Sequence, residues 1–382
     1  MYDPIFDFIR QQFGQQNPLP LHEPLFCGQE KNYLIDCIDS TFVSSVGQYV
    51  DKFEQSVAEF TGCRHAIAVV NGTQALFVAL KTLGIDTECE VLTQSLTFIA
   101  TANAIHYTGA VPVFLDIDRT TLGLSPVAVK EFIQQHTEMH HGHRINKVTG
   151  RKIAACLPMH TCGHPCQIEA LKNICNENNI HLIEDAAESL GSFLPTGHTG
   201  TFGEVGVFSF NGNKIITTGG GGMLVTNDDA LAQKLRHLTT TAKVPHSWEF
   251  IHDEIGYNFR MPNINAALGL AQMEQLPLFL QKKRDLAQQY RSFFSDSNIH
   301  YVDEPYSTRS NFWLNTILLP DEKEKKVFLD SAQKRGIGAR SLWRPMHLLD
   351  IYSDYQRDTQ VNTEWVYQRA VNLPSSVRRS DG

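Results

Sequence analysis

The sequence predicts an α/β protein in which a mainly parallel sheet lies between helices, followed by a smaller α+β C-terminal domain. From Val50 onward, strand-like apolar runs alternate with amphipathic helical segments, an order typical of parallel sheets covered on both faces. After "GYNFRMPN" (256–263) the pattern changes to one long helical segment and then to mixed strands and helices. We therefore expect a large domain over residues 1–264, including the N-terminal segment, and a small domain over residues 265–382.

Hydrophobic periodicity and end signals predict the elements in order. The segment "VDKFEQSVAEFTG" places its apolar residues on one helical face and stops at Gly62. "SPVAVKEFIQQ" begins with a capping Ser125 and with Pro126 at the first helical position. Further helices are predicted over 73–84, 97–109 and 167–179, and strands over 65–70, 89–92, 111–118, 152–159, 180–185, 205–210 and 221–227. In the C-terminal part we expect a long helical stretch over 264–294, interrupted at Pro277, then a strand over 313–320 and a helix over 325–336.

Composition argues against several functional classes. Lysine plus arginine number 33 against 41 aspartate plus glutamate, which gives a formal net charge of −8 with no basic block. This balance argues against a surface that binds nucleic acid or an anionic membrane. The N-terminal segment has no pattern of a secretory signal, and the uncharged stretch 92–115 is too polar to span a bilayer. We expect a cytoplasmic protein whose eight cysteines are reduced thiols.

One group of possible metal ligands occurs in "HTCGHPCQ" (160–167), where His160, Cys162, His164 and Cys166 lie close together in the chain. Structural zinc sites usually take their ligands as two separated pairs, and the sequence shows no second pair after this one. We therefore predict no metal site. The histidine-rich segment 136–144 is likewise predicted to be a polar surface segment rather than a metal site.

A possible phosphate site follows the first strand of the predicted sheet, at the edge where open α/β sheets bind ligands. In "NGTQAL" (71–76), Gly72 allows a phosphate to approach the backbone and Thr73 offers a hydroxyl. The helix N-terminus adds free N–H groups. A threonine that merely caps the helix would explain the same residues without a ligand.

A carboxylate and an amine follow two further predicted strands. Asp185 ends the segment "IHLIED" (180–185), so it is expected at the carboxyl edge of the sheet, as a functional group or as the cap of the next turn. Lys214 is the one charged residue in "SFNGNKIITTGGGGMLV" (209–225), between two predicted core strands. Burying an ammonium without a partner is costly, so Lys214 either lies on an exposed loop or takes part in chemistry.

Pyridoxal phosphate is a cofactor that would use all of these groups. Its aldehyde requires an amine such as Lys214, which can lose its proton and form a Schiff base. Its ring nitrogen requires a carboxylate such as Asp185, which keeps the nitrogen protonated so that the ring withdraws electrons from the substrate. Once released from the cofactor, the lysine is placed to carry a proton between substrate and cofactor carbons.

Seven segments spread over nearly the whole chain together resemble the DegT/DnrJ/EryC1/StrS family of sugar aminotransferases. They are "FVSSVGQYVDKFE", "NGTQAL", "TFIATANAI", "IEDAAESLGS", "FSFNGNKIITTGGGGMLVT", "GYNFRMPN" and "RPMH". The resemblance implies fold type I of the pyridoxal-phosphate enzymes, pyridoxal 5'-phosphate as cofactor, L-glutamate as amino donor, and a homodimer with shared active sites.

The resemblance also implies roles for individual residues. Lys214 would hold the cofactor covalently and Asp185 would pair with its pyridine nitrogen. The remaining cofactor contacts would be Gly72, Thr73 and Ser209 on the phosphate, Phe98 stacked on the ring, and Asn258 on the phosphate of the neighbouring subunit. Glu188 stands where many members have glutamine or histidine, which leaves open whether it bonds to the phenolic oxygen of the cofactor. Asn71 replaces a common serine.

The segment "TTTAKVPHSWEFIHDEIGYNFRMPNINAALG" (239–269) resembles most the aminotransferases that act on UDP-4-keto-6-deoxy-N-acetylglucosamine, on the routes to UDP-N-acetylbacillosamine and legionaminic acid used in polysaccharide biosynthesis. Enzymes of the GDP-perosamine synthase type are the alternative, and a non-catalytic regulator on the same fold is a second one. Lys243, His246, Arg260 and His347 are candidates for contacts with the nucleotide diphosphate or the donor carboxylate, or are structural.

Overall fold

The computed structural model describes residues 2–378, which form eleven α-helices and seventeen strands. The helices are α1 (Asp3–Phe13), α2 (Glu30–Asp39), α3 (Gln48–Thr61), α4 (Gly72–Thr82), α5 (Ile99–Tyr107), α6 (Pro126–His136), α7 (Ile168–Asn178), α8 (Asp229–Thr239), α9 (Asn263–Phe294), α10 (Glu322–Lys334) and α11 (Val361–Tyr367). The strands are β1 (His65–Val69), β2 (Cys89–Gln94), β3 (Val111–Leu115), β4 (Thr137–His140), β5 (His143–Asn146), β6 (Lys152–Leu157), β7 (His181–Asp185), β8 (Phe193–Leu194), β9 (Gly197–His198), β10 (Val205–Ser209), β11 (Gly222–Thr226), β12 (Lys243–Val244), β13 (Ile251–His252), β14 (His300–Val302), β15 (Asn315–Leu318), β16 (Arg340–Ser341) and β17 (Ala370–Leu373).

The central sheet is mainly parallel, as the sequence predicts. Its strands run in the order β1-β11-β10-β7-β6-β2-β3, with the β4–β5 hairpin attached to β6. The pairs from β10 to β3 are all parallel, β11 is antiparallel to both β1 and β10, and β5 is antiparallel to both β4 and β6. Helices on both faces leave β2, β6, β7 and β11 almost wholly buried, which explains their continuous apolar runs. The predicted α/β fold class is confirmed.

Helix ends follow the signals in the sequence. Ser125 accepts a hydrogen bond from the Ala128 amide at 3.3 Å and caps α6, and Pro126 stands at the first helical position. Gly62 ends α3 in the left-handed region at φ 76°. The histidine-rich segment forms the β4–β5 hairpin, most of whose residues lie at the surface.

Helix α9 joins two hydrophobic cores. Leu276 and Phe279 pack in the core beside the central sheet, and Tyr290 and Phe294 pack in the core of the C-terminal part. The predicted interruption at Pro277 is wrong, because α9 continues through it. The buried residues on either side of the proline pack against the first core and hold the helix in place despite the missing amide hydrogen.

The C-terminal part contains a four-stranded antiparallel sheet in the order β14-β15-β17-β16. Helix α1 packs against this part, because Phe6 and Ile9 share a hydrophobic core with Phe328 and Val371. The sequence, by contrast, predicts this N-terminal segment within the large domain. The boundary near residue 265 stays a prediction, and the packing of α1 favours assigning that helix to the C-terminal part.

Candidate active site

The carboxyl edge of the central sheet borders a cavity of about 350 Å3. Strands β1, β7 and β10 end at this edge, so residues distant in the chain meet there. Trp313 and Arg340 from the C-terminal part complete the wall. Seven of the predicted site residues line the cavity: Gly72, Thr73, Phe98, Asp185, Glu188, Ser209 and Lys214.

The predicted phosphate cradle lies at the start of α4. The side chain of Asn71 accepts a hydrogen bond from the Gln74 amide at 2.9 Å, so Asn71 rather than Thr73 caps the helix. A Cβ on Gly72 would lie 3.1 Å from the Cβ of Ser209, and one on Gly222 would lie 2.6 Å from the carbonyl carbon of Asn71. Glycine therefore allows the turn, β10 and β11 to approach closely, and the helix N-terminus faces the cavity with hydroxyls beside it.

Asp185 lies at the end of β7 and is almost completely buried. Its Oδ2 accepts a hydrogen bond from the Thr101 hydroxyl at 2.7 Å, and its Oδ1 accepts one from the Ala187 amide at 3.2 Å. Burial raises the pKa of this carboxyl, whereas the two hydrogen bonds and the charge of Lys214 act to lower it. These contacts fix the carboxylate in one orientation at the cavity wall.

A second buried pair lies behind Asp185. His160 Nε2 is 2.9 Å from a carboxylate oxygen of Glu184, which also accepts hydrogen bonds from three backbone amides. Burial lowers the pKa of His160, and the neighbouring Cys166 and Glu184 act to raise it. Nδ1 of His160 accepts a hydrogen bond from the Cys166 amide at 3.1 Å, so the ring donates to Glu184 through Nε2–H. The sequence pointed to His160 only as a possible metal ligand, and the glutamate directly before Asp185 was the available signal for this pair.

Lys214 projects into the cavity from the loop after β10. Its Nζ is 3.3 Å from Oε1 of Glu188 and 4.1 Å from the centroid of the Trp313 ring. The Trp313 indole in turn donates a hydrogen bond to the Asn213 carbonyl at 2.7 Å. Only 13% of the Lys214 side chain is exposed, so the alternative of a lysine on a solvated loop is not observed. No sequence signal identified Trp313, which is 99 residues away in the chain.

Glu188 links the cavity to the turn after β6. Its Oε2 accepts a hydrogen bond from the Cys162 amide at 2.9 Å, while its Oε1 faces Lys214. Burial raises the pKa of this carboxyl, and Lys214 and the Cys162 amide act to lower it. The departure from glutamine or histidine at this position therefore places a second carboxylate next to the lysine.

Aromatic side chains border the cavity mouth. Phe98 is 51% exposed, and its ring centroid lies 6.5 Å from that of Trp343. A planar ring entering the cavity would meet the Phe98 side chain, in accord with the stacking role implied for that residue. Arg340 adds an exposed guanidinium to the same wall.

Five predicted site residues do not line the cavity. Lys243, His246, Asn258 and Arg260 are exposed outside it, and the ammonium of Lys243 lies over the ring of Phe250 at 4.2 Å. His347 is buried, with Nδ1 2.7 Å from the Ser95 hydroxyl and Nε2 3.3 Å from Glu364. The roles suggested for all five stay predictions.

The candidate zinc ligands of "HTCGHPCQ" do not act as a unit. His160 pairs with Glu184, and His164 is buried with its ring against Phe312. Among residues 2–378, groups that could jointly hold a metal ion are found instead at the surface, in His237, Asp253 and Glu254. Glu254 also bonds to Lys234. In the same part of the chain, every helix is too short or too polar to span a bilayer.

The residues of the cavity fit pyridoxal phosphate. The glycine-lined helix N-terminus suits a phosphate, the buried Asp185 suits a pyridinium nitrogen, and Lys214 suits an aldehyde. This set of groups, at the carboxyl edge of a mainly parallel sheet, is typical of a cofactor-dependent enzyme that moves amino groups.

Comparisons with known proteins agree with this class. The chain belongs to the DegT/DnrJ/EryC1/StrS aminotransferase family, whose pattern it matches over residues 27–381. The chain is accordingly a pyridoxal-phosphate-dependent nucleotide-sugar aminotransferase.

Two curated relatives are similar over most of their length. The GDP-perosamine synthase of Escherichia coli O157:H7 is 37% identical over 94% of this chain and 93% of its own. The GDP-perosamine synthase of Vibrio cholerae is 37% identical over 94% of both chains.

Solved structures of similar fold include the aminotransferase TlmJ from Streptoalloteichus hindustanus, with a TM-score of 0.86 and 26% identity over 95% of both chains. Another is PseC of Helicobacter pylori, an aminotransferase involved in the biosynthesis of pseudoaminic acid. It has a TM-score of 0.84 and 25% identity over 94% of both chains.

Proposed function

We propose that this enzyme transfers the amino group of L-glutamate to C4 of a nucleotide-linked 4-keto-6-deoxy sugar, with Lys214 and Asp185 as its catalytic residues. The observation that carries the proposal is the single cavity in which Lys214, Asp185 and the glycine-lined start of α4 meet. The relatives named GDP-perosamine synthase support a sugar nucleotide as the amino acceptor.

Each residue has a task that follows from its position. When bound, pyridoxal phosphate supplies an aldehyde and a ring that withdraws electrons from the carbon that loses its proton. Asp185 holds the proton of the ring nitrogen, because its carboxylate is fixed by Thr101 and the Ala187 amide. Lys214 binds the cofactor and, once free, moves a proton between the substrate carbon and the cofactor carbon. Trp313 covers the lysine and limits the access of water.

Two nucleotide sugars are candidates for the acceptor. GDP-4-keto-6-deoxymannose is favoured by the relatives at 37% identity. UDP-4-keto-6-deoxy-N-acetylglucosamine is supported by the resemblance of residues 239–269. The comparisons do not confirm this acceptor. We place the GDP sugar first because the two synthases resemble nearly the entire chain.

The acceptor is tested by measuring kcat/KM for both keto sugars at one glutamate concentration, with release of 2-oxoglutarate as the readout. We expect turnover of at least one of them. A kcat/KM at least as high for the UDP sugar as for the GDP sugar would reverse the preference for the GDP sugar. Failure of both sugars, with glutamate still deaminated in the first half-reaction, would contradict the proposed acceptor class.

The proposal includes a homodimer in which each subunit completes the other's site. The hairpin of β12 and β13 and the residues next to it carry Trp248, Phe250 and Ile255 with 80%, 81% and 84% of their surface exposed. Exposed aromatic residues in such density are typical of protein interfaces. Asn258 lies close to this hairpin in the chain and outside the cavity of its own subunit, in accord with a role at the partner's phosphate.

A further inference from the structure

The Lys214–Glu188 pair presents a chemical problem. The Nζ–Oε1 distance is 3.3 Å, and only 13% and 2% of the two side chains are exposed. At this distance the two groups form an ion pair when the lysine carries its proton. An ammonium has no free electron pair, so Lys214 must lose a proton before it can bond to an aldehyde carbon.

We propose that Glu188 accepts this proton from Lys214 when the lysine bonds to the cofactor. The inference rests on the proposed covalent role of Lys214. It adds a proton acceptor to that role. This acceptor is particular to a chain with glutamate at this position, because a glutamine side chain cannot accept the proton of an ammonium.

The step balances without any further reactant. A proton moves from Nζ of Lys214 to Oε1 of Glu188, which leaves a neutral amine and a neutral carboxylic acid. The amine attacks the aldehyde carbon, a carbon–nitrogen double bond forms, and the aldehyde oxygen leaves as water with the two hydrogens of the amine. Nothing is oxidised or reduced in this step.

The contacts of Glu188 suit this exchange. Cys162, held at φ 57°, directs its amide to Oε2 at 2.9 Å and so fixes the carboxylate with Oε1 towards the lysine. Burial raises the pKa of Glu188, so the neutral acid is less costly in this site than in water.

Other titratable groups around the pair are less suited to accept the proton. Asp185 is engaged by Thr101 and the Ala187 amide. Burial raises the pKa of the Cys162 thiol far above neutrality, so that it is already protonated. Burial lowers the pKa of His22 well below its usual range, so this histidine is also a poor base. The remaining titratable groups near this set are Arg340, which acts on Cys162, and Lys283, which acts on His22. Burial lowers the pKa of Lys283 well below its usual range, so it is also a poor base.

The test is the rate at which apoprotein bonds to added pyridoxal phosphate, followed by visible absorbance from pH 6 to pH 9. In Glu188→Gln the lysine ammonium must release its proton to water. The rate of cofactor bonding in this variant should therefore rise about tenfold per pH unit while the lysine is mainly protonated. In the wild type the proton stays within the pair. Titration of the cofactor itself changes both rates equally. The rate for Glu188→Gln divided by the rate for the wild type should therefore also rise about tenfold per pH unit. A ratio that does not change with pH overturns the proposal.

Two variants separate this result from misfolding and from failure of the proposed function. Glu188→Asp keeps a carboxylate, and we expect a pH profile closer to that of the wild type than to that of Glu188→Gln; a profile matching Glu188→Gln would count against proton transfer. Lys214→Ala should give no cofactor fixed by borohydride. Fixation in Lys214→Ala would contradict the covalent role of Lys214 itself. No keto sugar is needed, so the outcome does not depend on the acceptor.

Discussion

At the scale of single residues, the site depends on polar groups that are buried but paired. Asp185 and Glu188 each receive hydrogen bonds from backbone or hydroxyl groups, and Lys214 lies between a carboxylate and an indole ring. Pairing offsets the cost of burying charge and keeps each group in one orientation. The chemistry of the site can therefore be tested by substitutions that preserve side-chain shape.

Replacement of Lys214 by alanine should abolish turnover while the fold is retained. In the proposed mechanism Lys214 both holds the cofactor and carries a proton, and loss of a general acid–base group alone typically costs about 10² to 10⁴ in rate. Release of 2-oxoglutarate under steady-state conditions measures the effect, with circular dichroism as the control for folding. Activity within tenfold of the wild type would contradict the catalytic role.

Asp185→Asn should impair catalysis strongly even when the cofactor binds. The neutral amide keeps the size and hydrogen-bonding capacity of the side chain but cannot hold the proton of the ring nitrogen. The measurements are kcat and the absorbance of bound cofactor. Asp228→Asn is a matched control, because Asp228 caps α8 through the Leu231 amide at 2.8 Å and asparagine caps helices equally well. Equal effects of the two changes would reduce Asp185 to a structural role.

At the scale of elements, the cradle depends on the close approach of β11 to the turn before α4. A Cβ on Gly222 would lie 2.6 Å from the carbonyl carbon of Asn71, and backbone atoms cannot yield as a flexible side chain can. The N-terminus of α4 would have to move away from Ser209, which forms the other side of the cradle.

Gly222→Ala should therefore lower both stability and cofactor affinity. Overpacking of this kind costs about 1–3 kcal/mol, and we expect a lower Tm together with a Kd for pyridoxal phosphate raised on the order of tenfold. Differential scanning fluorimetry and absorbance titration measure the two effects. Gly212→Ala is the control in the neighbouring loop, because a Cβ there would meet nothing within 4 Å. An unchanged Kd in Gly222→Ala would show that the turn is not required for the phosphate.

At the scale of the whole molecule, we predict a homodimer from the exposed hairpin of β12 and β13 and from the position of Asn258 outside its own cavity. A single chain would leave Trp248 and Phe250 in water and the phosphate without this contact. The prediction of a homodimer thus concerns catalysis as well as assembly.

Mixing two inactive variants tests the shared site. In a heterodimer of Lys214→Ala with Asn258→Ala, one of the two sites receives both native residues, so part of the activity should return. Subunits must be exchanged by mild denaturation and refolding, and each variant treated alone serves as the control. A fully active monomer, or no recovery although heterodimers are detected, would contradict the shared site.

The sequence by itself determined the strands of the central sheet except β4 and β5, the helices from α3 to α7, and the polar groups that follow the strands. It also determined α9 and α10, whereas α1, α2, α8 and α11 were not predicted. Hydrophobic period, caps such as Ser125 and the polar residues at strand ends depend on neighbours in the chain, so they can be interpreted locally. The same local reasoning identified Lys214 and Asp185 as candidates, and the resemblance to a known family added Glu188 and Phe98.

Only the tertiary structure decided what surrounds those residues. Trp313 reaches Lys214 from the C-terminal part, His160 pairs with Glu184 behind Asp185, and α1 packs far from its neighbours in sequence. The packing of α9 likewise keeps Pro277 within a continuous helix. Such contacts join residues that are distant in the chain, and they depend on how whole elements pack. No local pattern encodes that packing, which is why the partners of Lys214 had to come from the folded molecule.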